Sequence, residues 1–225
     1  MVSGIMPFSR QPVAERGAGR RLLCFVLRSC KADTNMGHNK DGRVVMEAEG
    51  IQAAIERLSR EIIASSRDPD KLALVGIHTG GVFLANRIAA IISGKLGAPV
   101  PLGTIDITLY RDDWTRLHTQ PVLKGTNLPF RVDDLEVVLI DDVLYTGRTV
   151  RAAIDALIDY GRPRRVQVAV LVDRDHRELP ICGQFVGIAL DTSAEEQVNV
   201  LLCEKDGVDK VVVEGPKEPR EWVNM

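Results

Sequence analysis

Val137-Val-Leu-Ile-Asp-Asp-Val-Leu-Tyr-Thr-Gly-Arg-Thr149 is the stretch that decides the fold of this chain. Four apolar residues run into two adjacent carboxylates, Asp141 and Asp142. A loop containing Thr146, Gly147 and Thr149 follows, and then Val150-Arg-Ala-Ala-Ile-Asp-Ala-Leu157 carries a helical pattern. A short continuous apolar run bounded by turn residues suits a buried strand. Amides and hydroxyls of a small-residue loop at a helix N-terminus hold a phosphate where the helix dipole favours negative charge. Asp141 and Asp142 are placed to accept hydrogen bonds from the two hydroxyls of a ribose. The stretch therefore predicts a phosphosugar site at the carboxyl end of a central strand. Acids that merely cap a helix or face solvent would also follow a strand; the Asp-Asp pair alone does not decide between the two, whereas the whole run does.

Outward from this stretch, strand and helix patterns alternate. Ile51, Ile55, Leu58 and Ile62 fall on one helical face, predicting a helix over about 46–66. Lys71-Leu-Ala-Leu-Val-Gly76 reads as a short buried strand, Val82 to Ile92 as a helix ending around Gly94, and Gly103 to Tyr110 as a strand. Residues 111–131 are polar, with Gly125 and two prolines, and are expected to form a long excursion of the kind that is either a functional lid or disordered. Glu136–Ile140, the helix Thr149–Tyr160 and the strand Val166–Val172 complete the series, with short strands in 185–213 that pattern alone does not place. This alternation predicts an α/β fold with a doubly wound parallel sheet, ligands lying at the carboxyl ends of its strands.

Composition bounds the function. The chain has 225 residues, 45% hydrophobic, with 29 basic and 31 acidic residues for a net charge of −2. There is no bulk basic excess, so RNA contact would need a local patch. Aromatics are only 4%, too few for a surface that stacks bases. Four cysteines, Cys24, Cys30, Cys182 and Cys203, have neither zinc-like spacing nor disulfide-rich density, and suit a cytoplasmic location. Leu22–Leu27 is too short for the apolar core of a signal peptide. The expected organisation is an extension over 1–43, one domain over 44–215, and a polar tail over 216–225. The extension is expected to be disordered, or to precede the true start at Met36 or Met46; a targeting arm is the alternative.

Other segments supply further parts of a site. Gly76-Ile-His-Thr-Gly-Gly-Val82 follows the first strand and opens a helix, so the amides of Thr79, Gly80 and Gly81 face a possible anion, with His78 beside them. Leu109-Tyr-Arg-Asp-Asp113 starts the excursion; Arg111 is its cation, and a planar guanidinium suits bidentate phosphate contacts. Val170-Leu-Val-Asp-Arg-Asp-His-Arg-Glu-Leu-Pro180 follows the last core strand, and Asp173 with Arg174 may be read either as part of a ligand cover or as a structural ion pair.

The run at 137–149 resembles the phosphoribosyl pyrophosphate (PRPP) signature of type I phosphoribosyltransferases. With Asp106–Asp113, Pro121–Thr126, Tyr160–Pro163, Leu171–Arg174 and His176–Ile181, the likeness narrows to the PyrR family, over about residues 46–213. Those proteins are bacterial pyrimidine-operon attenuators that also carry uracil phosphoribosyltransferase activity. The resemblance implies conversion of uracil and PRPP to UMP and pyrophosphate, with Mg2+ accompanying PRPP and no certain protein ligand to it. It implies catalytic roles for Asp141, Asp142 and Arg111. PRPP or UMP would be held by Val143, Leu144, Tyr145, Thr146, Gly147, Arg148 and Thr149, by His78, Thr79, Gly80 and Gly81, and by Asp112 and Asp113. A small hood formed by Val172, Asp173 and Arg174 would cover the base. Arg57, Arg60, Arg162, Arg164 and Arg165 would meet a leader mRNA, and the chain would assemble as a homodimer or homotetramer.

Three positions depart from the family pattern. Gly80 stands where an arginine is usual. Thr192-Ser-Ala-Glu195 replaces Thr-Ser-Arg-Ser. Glu56-Arg57-Leu-Ser-Arg60 replaces the Thr-Arg-x-x-His face linked to RNA. These departures leave open a transferase without RNA regulation, a catalytically weak nucleotide sensor, and a transferase for another base such as hypoxanthine.

Overall fold

A strand buried on both faces belongs inside a parallel sheet with helices on either side, and the runs LALVGI and EVVLID meet that condition. The computed structural model describes residues 42–110 and 125–215. In chain order the elements are β1 (Gly42–Glu47), α1 (Ala48–Ser65), β2 (Leu72–Ile77), α2 (Gly80–Leu96), β3 (Leu102–Ile105), β4 (Glu136–Leu144), α3 (Arg148–Ile158), β5 (Arg165–Arg174), β6 (Phe185–Leu190), β7 (Gln197–Leu201), α4 (Cys203–Asp206) and β8 (Lys210–Glu214). Five strands form a parallel sheet in the order β3-β2-β4-β5-β6, and a second, antiparallel sheet has the order β1-β8-β7.

The two-residue period of the strands sorts the core into layers. Leu72, Leu74, Val138, Ile140 and Leu171 point toward α1 and α2, where Ile51, Ile55, Leu58, Ile62, Leu84, Ile88 and Ile92 meet them. Ala73, Val75, Ile77, Val137 and Leu139 point to the opposite face, against Ala152, Ala153, Ala156 and Leu157 of α3. Slipping β4 by one residue would exchange these sets and carry Asp141 to the other face.

Several expectations are corrected here. Order among the described residues begins at Gly42 as a strand, since 42–47 pairs with β8; the first helix follows it. Helix α2 passes through Gly94, whose missing side chain faces open space, and stops at Gly97 (φ 72°), where the left-handed C-cap lets the Gly97 amide reach Ser93 O. The strand expected over 103–110 ends at Ile105, because Asp106 turns the chain by accepting from the Thr108 amide at 2.9 Å. Strands β4 and β5 are longer than the apolar runs that announced them, so Asp141, Asp142, Asp173 and Arg174 lie within strands. The excursion returns to the edge of β3 through paired hydrogen bonds between Thr104 and Asn127. Residues 1–41, 111–124 and 216–225, and with them Arg111, Asp112 and Asp113, lie outside the described residues.

Candidate active site

The carboxyl ends of β2 and β4 open into a cavity of about 380 Å3. It is lined by His78, Thr79 and Gly80 of the β2–α2 connection and, directly beside them, by Asp141, Asp142, Val143 and Thr149. The loop is anchored by a 3.0 Å bond from the His78 amide to Ile105 O, and the His78–Thr79 peptide is cis. Helix α2 starts immediately after it, so its free amides and positive dipole end face the cavity.

The two glycines of that loop are close-contact residues. A Cβ on Gly81 would lie 2.1 Å from Ile140 O, so only glycine lets α2 pack this tightly onto β4. A Cβ on Gly80 would lie 2.0 Å from Asp142 Oδ2. The carboxylate of Asp142 thus fills the space that a side chain at position 80 would need.

The acidic pair differs internally. Asp141 is 5% exposed, and its Oδ1 accepts from the Asp142 amide at 3.0 Å. Burial, reinforced by the charge of Asp142, pushes its pKa well above the usual carboxylate range. Asp142 is less buried and accepts from the Val143 amide at 2.9 Å through Oδ1. Adjacent strand residues point to opposite faces, but the end of β4 lies where both carboxylates border the cavity. The loop that follows turns through Gly147, in the left-handed region at φ 91°, and enters α3. Of the predicted phosphate segment, Val143 and Thr149 line the cavity, whereas Tyr145, Thr146, Gly147 and Arg148 do not border it and Leu144 is buried.

The residues expected to form the hood do not line the cavity. Val172 is fully buried in the core, Asp173 pairs with Arg177, and Arg174 donates to Thr192 Oγ1 at 3.1 Å, Ser193 O at 3.1 Å and Glu196 O at 2.7 Å while lying 4.2 Å from the Tyr145 ring centre. None of these three side chains lines the cavity, and Asp173 and Arg174 do not pair with each other. Val200, Leu202, Lys205 and Asp206, from β7 and α4, line it instead. Arg87 of α2 fastens α4 down: it is 2.6 Å from Glu204 and 2.8 Å from Asp209. Sequence periodicity carries no signal for this, because the contact joins the second turn of α2 to a four-residue helix more than a hundred residues away. Asp106, Ile107 and Thr108 also border the cavity; Asp106 additionally accepts from the Gly125 amide at 3.2 Å, pinning the return of the excursion.

The arginines do not form one free cluster. Arg57 donates to Val186 O at 3.0 Å and Gly187 O at 2.5 Å and pairs with Glu61, so it is committed to β6. Arg60, Arg162, Arg164 and Arg165 are exposed. Arg165 reaches Ser65 O at 3.5 Å, which joins the start of β5 to the end of α1.

Residues 45–201 match the family model described as the phosphoribosyl transferase domain. The chain is 70% identical over 179 residues to a protein from Syntrophobacter fumaroxidans named bifunctional protein PyrR, covering 80% of this chain and 96% of the relative. A protein of the same name from Clostridioides difficile is 54% identical over 75% of this chain and 96% of its own length. Among solved structures, the hypoxanthine phosphoribosyltransferases of Staphylococcus aureus and Trypanosoma cruzi align with TM-scores of 0.58 and 0.56. Their identities are 18% and 16%; the alignments cover 79% and 78% of this chain and 93% and 97% of theirs, a likeness of fold.

Proposed function

The chain belongs to the PyrR family of phosphoribosyltransferase-domain proteins, and from that premise we propose that it joins uracil to PRPP, giving UMP and pyrophosphate, and that it regulates pyrimidine-operon transcription by UMP-responsive RNA binding. The observation that carries the enzymatic part is the meeting, in the lining of one cavity, of the Asp141–Asp142 strand end with the amide-rich His78–Gly80 loop. PRPP seated in that cavity would have its ribose hydroxyls at the carboxylates and its diphosphate at the start of α2.

In this reading uracil N1 forms a bond to C1 of PRPP as the C1–O bond to pyrophosphate breaks, and the N1 proton departs. Positive charge develops on the sugar, and the adjacent carboxylates stabilise it. The protein's work is positioning and electrostatics, without a covalent intermediate. Asp141 and Asp142 orient the ribose, and 143–149 hold the 5′-phosphate through loop amides and the Thr146 and Thr149 hydroxyls. Thr79, Gly80 and Gly81 face the pyrophosphate, with His78 adding a hydrogen bond. Arg111, with Asp112 and Asp113, belongs to the closing segment, whose water exclusion protects the activated sugar. The base lies beside Val200, Leu202 and Lys205.

Mg2+ fits as a companion of PRPP. Among the described residues no group of three metal-ligating side chains exists, while a cavity with carboxylates on one side suits a hard cation brought in on diphosphate and ribose oxygens. Asp141 and Asp142 would hold it through those oxygens, and when bound it neutralises the charge of the leaving group.

Regulation rests on the bifunctional relatives and on the exposed arginines at 60, 162, 164 and 165. Arg57 has a mainly structural part. The chain is expected to act in the cytoplasm as a homodimer or homotetramer. The test is a base panel with PRPP and Mg2+, read by chromatography, with leader-hairpin binding measured with and without UMP. Uracil-dependent UMP and UMP-strengthened binding are expected; turnover with hypoxanthine in place of uracil would overturn the base assignment, and hairpin binding indifferent to UMP would overturn the regulatory one.

A further inference from the structure

Residues 173–181 pack against the loop that follows β4, and one side chain in them, Arg177, bonds to several of its carbonyls and to its own segment. Arg177 is mostly buried and donates through Nε to Ile181 O at 2.9 Å. Its Nη1 faces Tyr145 O at 2.5 Å, Arg174 O at 3.3 Å and Leu144 O at 3.5 Å, and its Nη2 pairs with the Asp173 carboxylate. One planar fork therefore joins the ends of β4 and β5 to the segment that follows. The next carbonyl, Thr146 O, accepts from the amides of Glu178 and Leu179, both at 3.1 Å. At the rim Arg148 pairs with Glu178 at 2.7 Å.

Three consecutive carbonyls, of residues 144, 145 and 146, are thus captured on one side. In a planar trans peptide the C=O of one residue and the N–H of the next point in opposite directions. Fixing these carbonyls toward Arg177 and its neighbours aims the amides of Tyr145, Thr146 and Gly147 the other way, on the side where a phosphate would be wrapped. A lysine has no fork and cannot satisfy these acceptors together.

We propose that Arg177 is a positioning residue for the 5′-phosphate: it touches no substrate, and it sets the direction of the amides that do. This rests on the transferase reading above. The experiment titrates UMP and uridine separately, by calorimetry, into the full chain and its Arg177→Lys and Arg177→Gln variants, with thermal melting alongside. The two ligands differ only in the phosphate. The expected result is a UMP dissociation constant raised about tenfold or more in Arg177→Gln, and by less in Arg177→Lys, while the uridine constant stays the same, so the preference for UMP collapses. Parallel weakening of both ligands, or an unchanged preference in a folded Arg177→Lys, overturns the proposal. Wild-type protein that binds neither UMP nor PRPP would overturn the transferase reading itself, and this proposal with it.

Discussion

Asp142 packs directly against Gly80 in the lining of the cavity: a Cβ on Gly80 would sit 2.0 Å from Asp142 Oδ2 and 2.9 Å from Asp142 Cβ. The contact extends to the Cβ of the aspartate, so rotating its carboxylate does not relieve it. This changes the meaning of the missing arginine at position 80. In this chain the space is given to a carboxylate, and the two positions are coupled.

Gly80→Ala, and Gly80→Arg more so, will displace Asp142 from the ribose. The loss of a hydrogen bond to a charged group costs about 1.5–3 kcal/mol, which is roughly 10- to 150-fold in kcat/KM. Steady-state kinetics with varied PRPP checks this. Improved PRPP use by Gly80→Arg would show that the coupling is absent.

Asp141 gives a pH-dependent stability effect of defined sign. Burial, then the Asp142 charge, raise its pKa in the folded state. The folded chain then holds this proton more tightly than the unfolded chain does, so stability falls as pH rises through the folded-state pKa. Asp141→Asn removes that penalty. Its melting temperature should exceed wild type at neutral and higher pH, with the gap closing toward pH 4, while turnover drops. A constant gap across pH would contradict the assignment.

Asp209 has the opposite sign. Burial opposes its charge, but Arg87 and the Cys203 amide outweigh burial and hold its pKa below the usual range. Its contribution is present above the unfolded-state pKa of about 3.9 and is lost as pH falls through the lower folded value. Arg87→Gln should cost about 2 kcal/mol near neutral pH by urea unfolding, less in acid, and should raise KM for the base more than for PRPP, because the α4 part of the cavity lining loses its anchor. Equal effects on both substrates would argue that α4 does not border the base.

For RNA, Arg164→Ala and Arg165→Ala should weaken leader binding and lower the magnitude of the log K against log salt slope by roughly 0.7–0.9 per arginine. Arg57→Ala should act mainly on stability, since its guanidinium is spent on Val186 O and Gly187 O. Filter binding across a salt series distinguishes the two classes. An unchanged slope in the double variant would remove these arginines from the interface.

The core half of the fold was legible because local patterns dictate it. The apolar runs at 72–77 and 137–140 and the helix face of Ile51, Ile55, Leu58 and Ile62 suit a parallel arrangement, and Asp141 and Asp142 near the end of β4 meet His78, Thr79 and Gly80 after β2 at its edge. What stayed hidden depends on distant pairings. The first six described residues became a strand only because β8 lies beside them. Residues 172–174, expected as a hood, lie within β5 and do not line the cavity, whereas β7 and α4 do, with Arg87 holding Glu204 and Asp209. Arg57 read as a free cation because sequence does not reveal the β6 carbonyls it meets.

The central claim is that PRPP reacts in the cavity lined by Asp142 and the His78–Gly80 loop. It is tested most directly by uracil-dependent pyrophosphate release in wild type and Asp142→Asn, with melting curves to verify the fold. The account predicts release that requires uracil in wild type and falls roughly tenfold or more in the variant, the cost of one charge-assisted hydrogen bond, at nearly unchanged melting temperature. Wild-type release rates from a folded Asp142→Asn protein would contradict it.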